Sequence, residues 1–323
     1  YNSSPQLYPI ALESPPIRDS NECPSQAREP RMISKSTVQQ VIRLAVVALM
    51  GLFLSCSPST SERQQDKVPV VVSINPLADM VGRVGGERIE VFQLVPPGAS
   101  PHTYEPTPSQ VTRLARARLL VLVGLGLEFW AEDMVDAVDN PHLVIADTST
   151  AVEPIDSNHH IWLDPLIAIA QVESIRDALH DIDPEGGAHY QENAARFINE
   201  LRALDQEIEK EIRDWSQHSF VAFHPAWAYF ARRYGLKQAA VIEETPGHEP
   251  STHEMAHVIE TVGEIGARAI FAEPQLPPEV AEAIAEESGA RVLVLDPIGG
   301  TKAPDDYLGL IRYNVQTMAK AMK

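Results

Sequence analysis

Cysteine is almost absent: the 323 residues hold two, Cys23 and Cys56. That excludes a disulfide framework and a metal site built from thiolates. Basic residues are also scarce, 26 against 45 acids, for a formal charge of −19. So acidic a surface repels phosphate backbones and anionic lipid, which argues against nucleic acid as a partner of the folded body. The apolar run Leu44–Leu54 has eleven residues, too few to span a bilayer as a helix. No P-loop and no serine nucleophile elbow occurs, and Gly124-Leu-Gly126 lacks the third glycine of a dinucleotide loop. What is there is a globular composition, 44% hydrophobic and 22% charged, in a chain long enough for two domains.

The short apolar run belongs to a leader. Lys35 and Arg43 precede it and Ser55-Cys56 follows. A basic region, an apolar region and a small residue at the cut are the layout of a secretory signal, here over 32–55. Cysteine directly after the cut resembles a bacterial lipoprotein signal, in which Cys56 would carry lipid and 56–67 would be a polar tether. Residues 1–31 are rich in Pro, Ser and Asn and show no apolar period, so they are expected to be disordered or a non-native extension, with translation starting at Met32. Residues 1–56 hold five of the bases and four of the acids, so the rest carries 21 and 41, net −20.

From Val68 onward strand-like and helix-like segments alternate. Val68–Ser73, Ile89–Val95, Leu119–Val123 and Leu143–Ile145 read as strands, separated by helical stretches such as Leu77–Val84. Pro184–Trp215 differs. Tyr190, Ala194, Phe197, Leu201, Leu204, Ile208 and Ile212 recur at helical steps with charges between them, which predicts one long amphipathic helix. Alternation then resumes, with strands at Ser219–Phe223, Ala239–Ile242, Ala269–Ala272 and Arg291–Leu295 and a final helix over Asp305–Met322. The expected fold is α/β. A first lobe over 68–184 and a second over 216–323, each with a parallel sheet, are joined by one long rigid helix, 185–215.

Ligands of open α/β sheets bind at loops leaving the C-terminal ends of strands. Among eleven histidines, three fall there. His102 follows strand 89–95, His160 follows strand 143–145, and His224 directly follows strand 219–223. Asp296 does the same after strand 291–295. Two come from each lobe, so a cleft between the lobes would gather them. Three imidazoles and a carboxylate suit a borderline divalent ion such as zinc, with copper, nickel and manganese also compatible with parts of the set.

These residues lie in longer motifs. Val71-Val-Ser-Ile-Asn-Pro-Leu-Ala-Asp79, Val84-Gly-Gly-Glu-Arg-Ile89 and Val95-Pro-Pro-Gly-Ala-Ser-Pro-His-Thr-Tyr-Glu-Pro-Thr-Pro-Ser-Gln110 resemble the metal-receptor family of bacterial ABC importers. So do His160-Ile-Trp-Leu-Asp-Pro165, Phe223-His-Pro-Ala-Trp-Ala-Tyr-Phe230 and Leu293-Val-Leu-Asp-Pro-Ile-Gly299. The resemblance covers roughly 68–323 and is to the zinc-uptake type. It implies two lobes bridged by a rigid helix, with the ion between them held by His102, His160, His224 and Asp296. It implies Zn2+ as the ion, with Mn2+ possible, a membrane permease as partner, and a place in the periplasm or on the outer face of the cytoplasmic membrane. Such a protein is not an enzyme. A manganese receptor and a surface adhesin lipoprotein are the related alternatives. The long His-rich loop of many zinc receptors is missing; His142 and the pair His159-His160 stand in that interval, and His159 competes with its neighbour for the ligand role.

One motif points elsewhere. His253-Glu-Met-Ala-His257 matches the zinc-protease signature, whose glutamate would act as general base. The longer protease pattern fails, with Glu260 and Gly263 where glycine and histidine are wanted. Glu273 or Glu282 would have to supply a third ligand. The stretch also reads as a plain helix start, with Ser251 or Thr252 as N-cap and Glu254 in the first turn. His248 lies in the loop before it.

Overall fold

The structure is a computed structural model that describes residues 67–323; the expectations for 1–66, including the signal and Cys56, lie outside the described residues. Two four-stranded parallel sheets carry the chain. The first consists of β1 (Val68–Val72), β2 (Ile89–Gln93), β3 (Leu119–Leu122) and β4 (Val144–Asp147), in the order β2-β1-β3-β4. The second consists of β5 (Ser219–Ala222), β6 (Lys237–Val241), β7 (Ala269–Ala272) and β8 (Arg291–Val294), in the order β6-β5-β7-β8. Both sheets therefore run outward from their first strand in the same way, although the sequence shows no repeat between them. All strand pairs are parallel, so every strand of a sheet delivers its following loop to the same edge.

Helices α1 (Asn75–Gly85), α2 (Pro108–Leu114) and α3 (Ala131–Asp136) connect the first four strands. Helices α6 (Ala228–Tyr234), α7 (Thr252–Glu264) and α8 (Glu279–Ser288) connect the second four, and α9 (Tyr307–Met322) closes the chain. Between the sheets stand two helices, α4 (Pro165–Ile182) and α5 (Gly187–Ile212). The long linking helix expected over 185–215 is present as α5. The long helix has 26 residues, a 3-10 turn at Pro184–Gly186 takes its first residues, and it packs along α4. Asp164 caps α4 by accepting the Leu166 and Ile167 amides, and Pro165 sits where its missing N–H costs nothing.

The spine holds both lobes by named bonds. Asn193 of α5 donates to the Val84 carbonyl at the end of α1 (3.0 Å). Asp205, one helical face further on, takes the Arg233 guanidinium through both oxygens (2.9 and 2.6 Å) and the Tyr234 hydroxyl. Strand periodicity decides which side of the second sheet faces the spine. Phe220, Ala222, Ala269 and Phe271 enter a core shared with Leu120, Trp162, Phe197 and Tyr307. Val221, Phe223, Ile270 and Ala272 point the other way, into a separate cluster with Val258 and Ile284 of α7 and α8. The larger core is thus continuous from the first sheet, through the spine, to the second.

Hydrogen bonds across the seam fix the loops at its upper edge. Trp162 Nε1 donates to the Pro297 carbonyl and the Tyr307 hydroxyl to the Trp162 carbonyl, both at 2.7 Å. Asn75 reaches the carbonyls of Ile298 and Asp305. Among the described residues no helix is long and apolar enough to cross a membrane.

Candidate metal centre

His102 sits in a 3-10 turn, Pro101–Thr103, within the proline-rich loop after β2. The loop is pinned back on its own strand: the Tyr104 hydroxyl donates to the Leu94 carbonyl (2.8 Å), and Gln110 Nε2 reaches the same oxygen (2.7 Å). His160 lies at the end of the loop after β4 and is 3% exposed. His224 follows β5 by two residues and is equally buried. The strand ends therefore bring these three side chains together as the sequence predicts.

Their tautomers are set by neighbours. Asn158 Oδ1 accepts the His160 backbone amide (3.0 Å) and lies 3.1 Å from His160 Nδ1, while Asn158 Nδ2 donates to the Pro225 carbonyl. The oxygen of Asn158 is thereby identified, and His160 Nδ1 must carry its proton. His224 Nδ1 faces the Glu273 carboxylate at 2.7 Å, so it too is the protonated nitrogen. In both rings Nε2 is then the nitrogen turned toward the centre. His160 Nε2 is 3.0 Å from His224 Nε2 and 3.3 Å from His102 Nε2. Two nitrogens bound to one tetrahedral zinc at 2.0–2.1 Å lie about 3.3 Å apart. Both contacts are close to that separation, so the nitrogens of each pair are placed to share one cation.

Electrostatics agree. Burial, followed by the charges His224 and His159 would carry, pushes His102 down to about 3. Burial and His224 lower His159 to about 4, and burial with the three surrounding imidazoles holds His160 well below the ordinary histidine value. All three rings are neutral at physiological pH, the form that binds metal.

Asp296 behaves differently. It is fully enclosed after β8, but it makes no hydrogen bond or ion pair with the three imidazoles. Its Oδ1 accepts Gln275 Nε2 (2.8 Å) and the amides of Ile298 and Gly299, and its Oδ2 accepts the Thr301 hydroxyl (2.8 Å). The carboxylate that does touch the centre is Glu273. In the sequence it stands out only as a candidate protease ligand. Its signal is present there, because it directly follows β7 as Asp296 follows β8. Asn158, two residues before His160, carries no comparable signal.

His159 also joins the cluster. One ring nitrogen of each of His102, His159 and His160 lies within 4.8 Å of the others. A cavity of about 10 Å³, room for a single small ion or water, is lined on its inner side by His102, His160, His224, Glu273 and Gln275. An outer cavity of about 390 Å³ is lined by His102, His159, His160, His224, Asp156 and Glu244, among others.

The protease signature gathers nothing. His253, Glu254 and His257 are exposed on α7, and Glu254 closes a capping box with Ser251, accepting its amide at 2.7 Å. Glu273 is engaged with His224, and Glu282 is exposed on α8.

Comparison with known proteins matches this architecture. The zinc-binding lipoprotein AdcA of Streptococcus pneumoniae serotype 4 is 30% identical over 303 residues, covering 86% of this chain. The chain spans about 60% of the length of the AdcA relatives it matches. A crystal structure of ZnuA superposes with a TM-score of 0.74 at 35% identity, over 79% of this chain and 99% of that one. The laminin-binding protein Lmb of Streptococcus agalactiae, described as an adhesin with metal-transporting activity, gives a TM-score of 0.73 at 29% identity, over 79% of this chain and all of that one. The pattern of the family described as ZnuA, zinc-uptake complex component A periplasmic, matches residues 70–321. With two parallel-sheet lobes, a helical spine and converging histidines inside that span, the chain belongs to the ZnuA family of solute-binding receptors.

Proposed function

We propose that this protein is an extracytoplasmic zinc receptor that captures the ion between its lobes and delivers it to the membrane permease of an ABC-type importer. The observation that carries the reading is the approach of His102 Nε2 and His224 Nε2 to His160 Nε2, at 3.3 and 3.0 Å, close to the separation of two nitrogens on one tetrahedral ion. Asp296 is the fourth ligand in this proposal. Its Oδ2 accepts a single hydrogen bond and keeps a lone pair for the ion, which the loop 296–301 brings within reach by shifting. A closed shell of protein ligands suits a cargo that must be held and released unchanged, whereas catalysis needs an open position. Lipid on Cys56 anchors the receptor in the periplasm or on the outer face of the cytoplasmic membrane, where the acidic surface favours approach of cations.

Metal stoichiometry tests the reading. The wild type is expected to bind one zinc tightly. His102→Ala and His224→Ala should each weaken it by about a hundredfold or more, and His257→Ala should leave it unchanged. Undiminished affinity in the first two variants, or loss in the third, overturns it. Diacylglycerol on Cys56 is checked by mass spectrometry of the membrane-extracted protein.

A further inference from the structure

His159 is the one imidazole of the cluster to which the proposed receptor assigns no role. Its Nε2 is buried and has no hydrogen-bond partner, and an unsatisfied buried nitrogen in a native site calls for a ligand. The ring is not idle by accident of position. It is hydrogen-bonded to the backbone of Leu125. Leu125 itself has a positive φ of 54° and stands between Gly124 at 90° and Gly126 at 81°. A leucine rarely adopts that conformation, and strain of this kind persists where the surroundings demand it. The loop after β3 thus places a left-handed leucine where its backbone meets His159.

His159 also faces a different space from His224's carboxylate. It lines the outer cavity and not the inner one, whereas Glu273 lines the inner cavity and not the outer one. His102, His160 and His224 line both. Around the shared pair His102 and His160, the cluster thus offers two triads, one completed by His159 and one by His224 with Glu273 behind it.

We propose that His102, His159 and His160 form an outer receiving position for a divalent cation, from which the ion passes inward as His224 replaces His159. The outer triad comes from the first lobe alone. Its nitrogens lie within 4.8 Å of one another, and three ligands leave it one short of a closed four-coordinate shell. A looser grip suits arrival and departure, and ligand-by-ligand exchange spares the ion from shedding its whole hydration shell in one step. Asp156 and Glu244 at the rim of the outer cavity add negative charge on the approach. The receiving position presupposes the receptor function, and the two are tested so that they fail separately.

Cobalt(II) titration of the full chain, read by its visible absorption, and stopped-flow zinc capture from a fluorescent chelator supply the two measurements. His224→Ala should keep a weakened cobalt site, and adding His159→Ala to it should weaken binding at least about tenfold further. His159→Ala alone should hold zinc within about threefold of wild type while capturing it at least about fivefold more slowly. His159→Asn, which preserves a donor toward Leu125, should behave as His159→Ala does. Equal cobalt affinity in His224→Ala and the double variant, or wild-type capture rates in His159→Ala and His159→Asn, overturns the receiving position while leaving the receptor intact. A wild-type chain that binds neither ion overturns both.

Discussion

Glu273 grips His224 through Nδ1 at 2.7 Å, with 2% and 3% of the two side chains reaching solvent. The pair fixes the ring's orientation and leaves Nε2 as the free donor. A carboxylate behind a metal-binding imidazole also raises its basicity. Glu273→Gln should lower zinc affinity about 10- to 100-fold with little change in fold. Competition against a chromogenic chelator measures it, and wild-type affinity in the variant would remove Glu273 from the centre.

Asp296 offers a sharper choice. Asp296→Asn keeps the shape and removes the charge, so as a ligand it should cost at least about tenfold in zinc affinity. Thr301→Ala, which removes only the bond to Oδ2, should stay within about threefold. An Asp296→Asn variant that binds like the wild type would give the fourth position to solvent and make Asp296 the anchor of the loop 296–301.

Nitrogen-rich shells follow the general divalent order, in which zinc binds far above manganese. Titration of metal-free protein with both ions should therefore find zinc tighter by well over about tenfold. Manganese binding as tightly as zinc would point to a shell richer in oxygen than three imidazoles and one carboxylate.

Away from the site, Asp183 joins the end of α4 to the start of β2. The Arg88 guanidinium meets both its oxygens (2.8 and 3.0 Å) and the Tyr190 hydroxyl donates to it at 2.6 Å. The Arg88 hydrogen bonds hold the Asp183 carboxyl below its ordinary value of 3.8. As pH falls the unfolded chain takes up this proton first, so the stabilisation is complete above that value and is lost below it. Arg88→Ala should cost about 1.5–3 kcal/mol at pH 7, and the gap from wild type should narrow below about pH 4. Urea unfolding at both pH values measures this; a gap independent of pH would refute the linkage.

Much of this architecture is legible in the residues themselves. β-Branched runs such as Val68–Val72 announce the strands, and the strand-end rule places His102, His160 and His224 correctly at one edge. Helix α4 escapes although its buried residues Ala168, Val172, Ile175, Leu179 and Ile182 do recur at helical steps. The apolar run Leu166–Ala170 blurs that stripe in the first turns, and the start signal, Asp164-Pro165, is also the end of a ligand motif. Glu273 escapes because its role depends on β7 lying beside β5, an adjacency that sequence order does not state. The shared order of the two sheets is invisible for a related reason: backbone topology repeats while the side chains that fill it do not.

The core that runs unbroken from β1 to α9 has a thermodynamic consequence. Two lobes that share one interior should not melt apart, so heating should give a single calorimetric transition. Anything that binds only the native state raises that transition, by about 4 kcal/mol at a thousandfold excess over the dissociation constant. An ion lodged in about 10 Å³ would thus register in the melting of the entire body, which makes occupancy readable without touching the site.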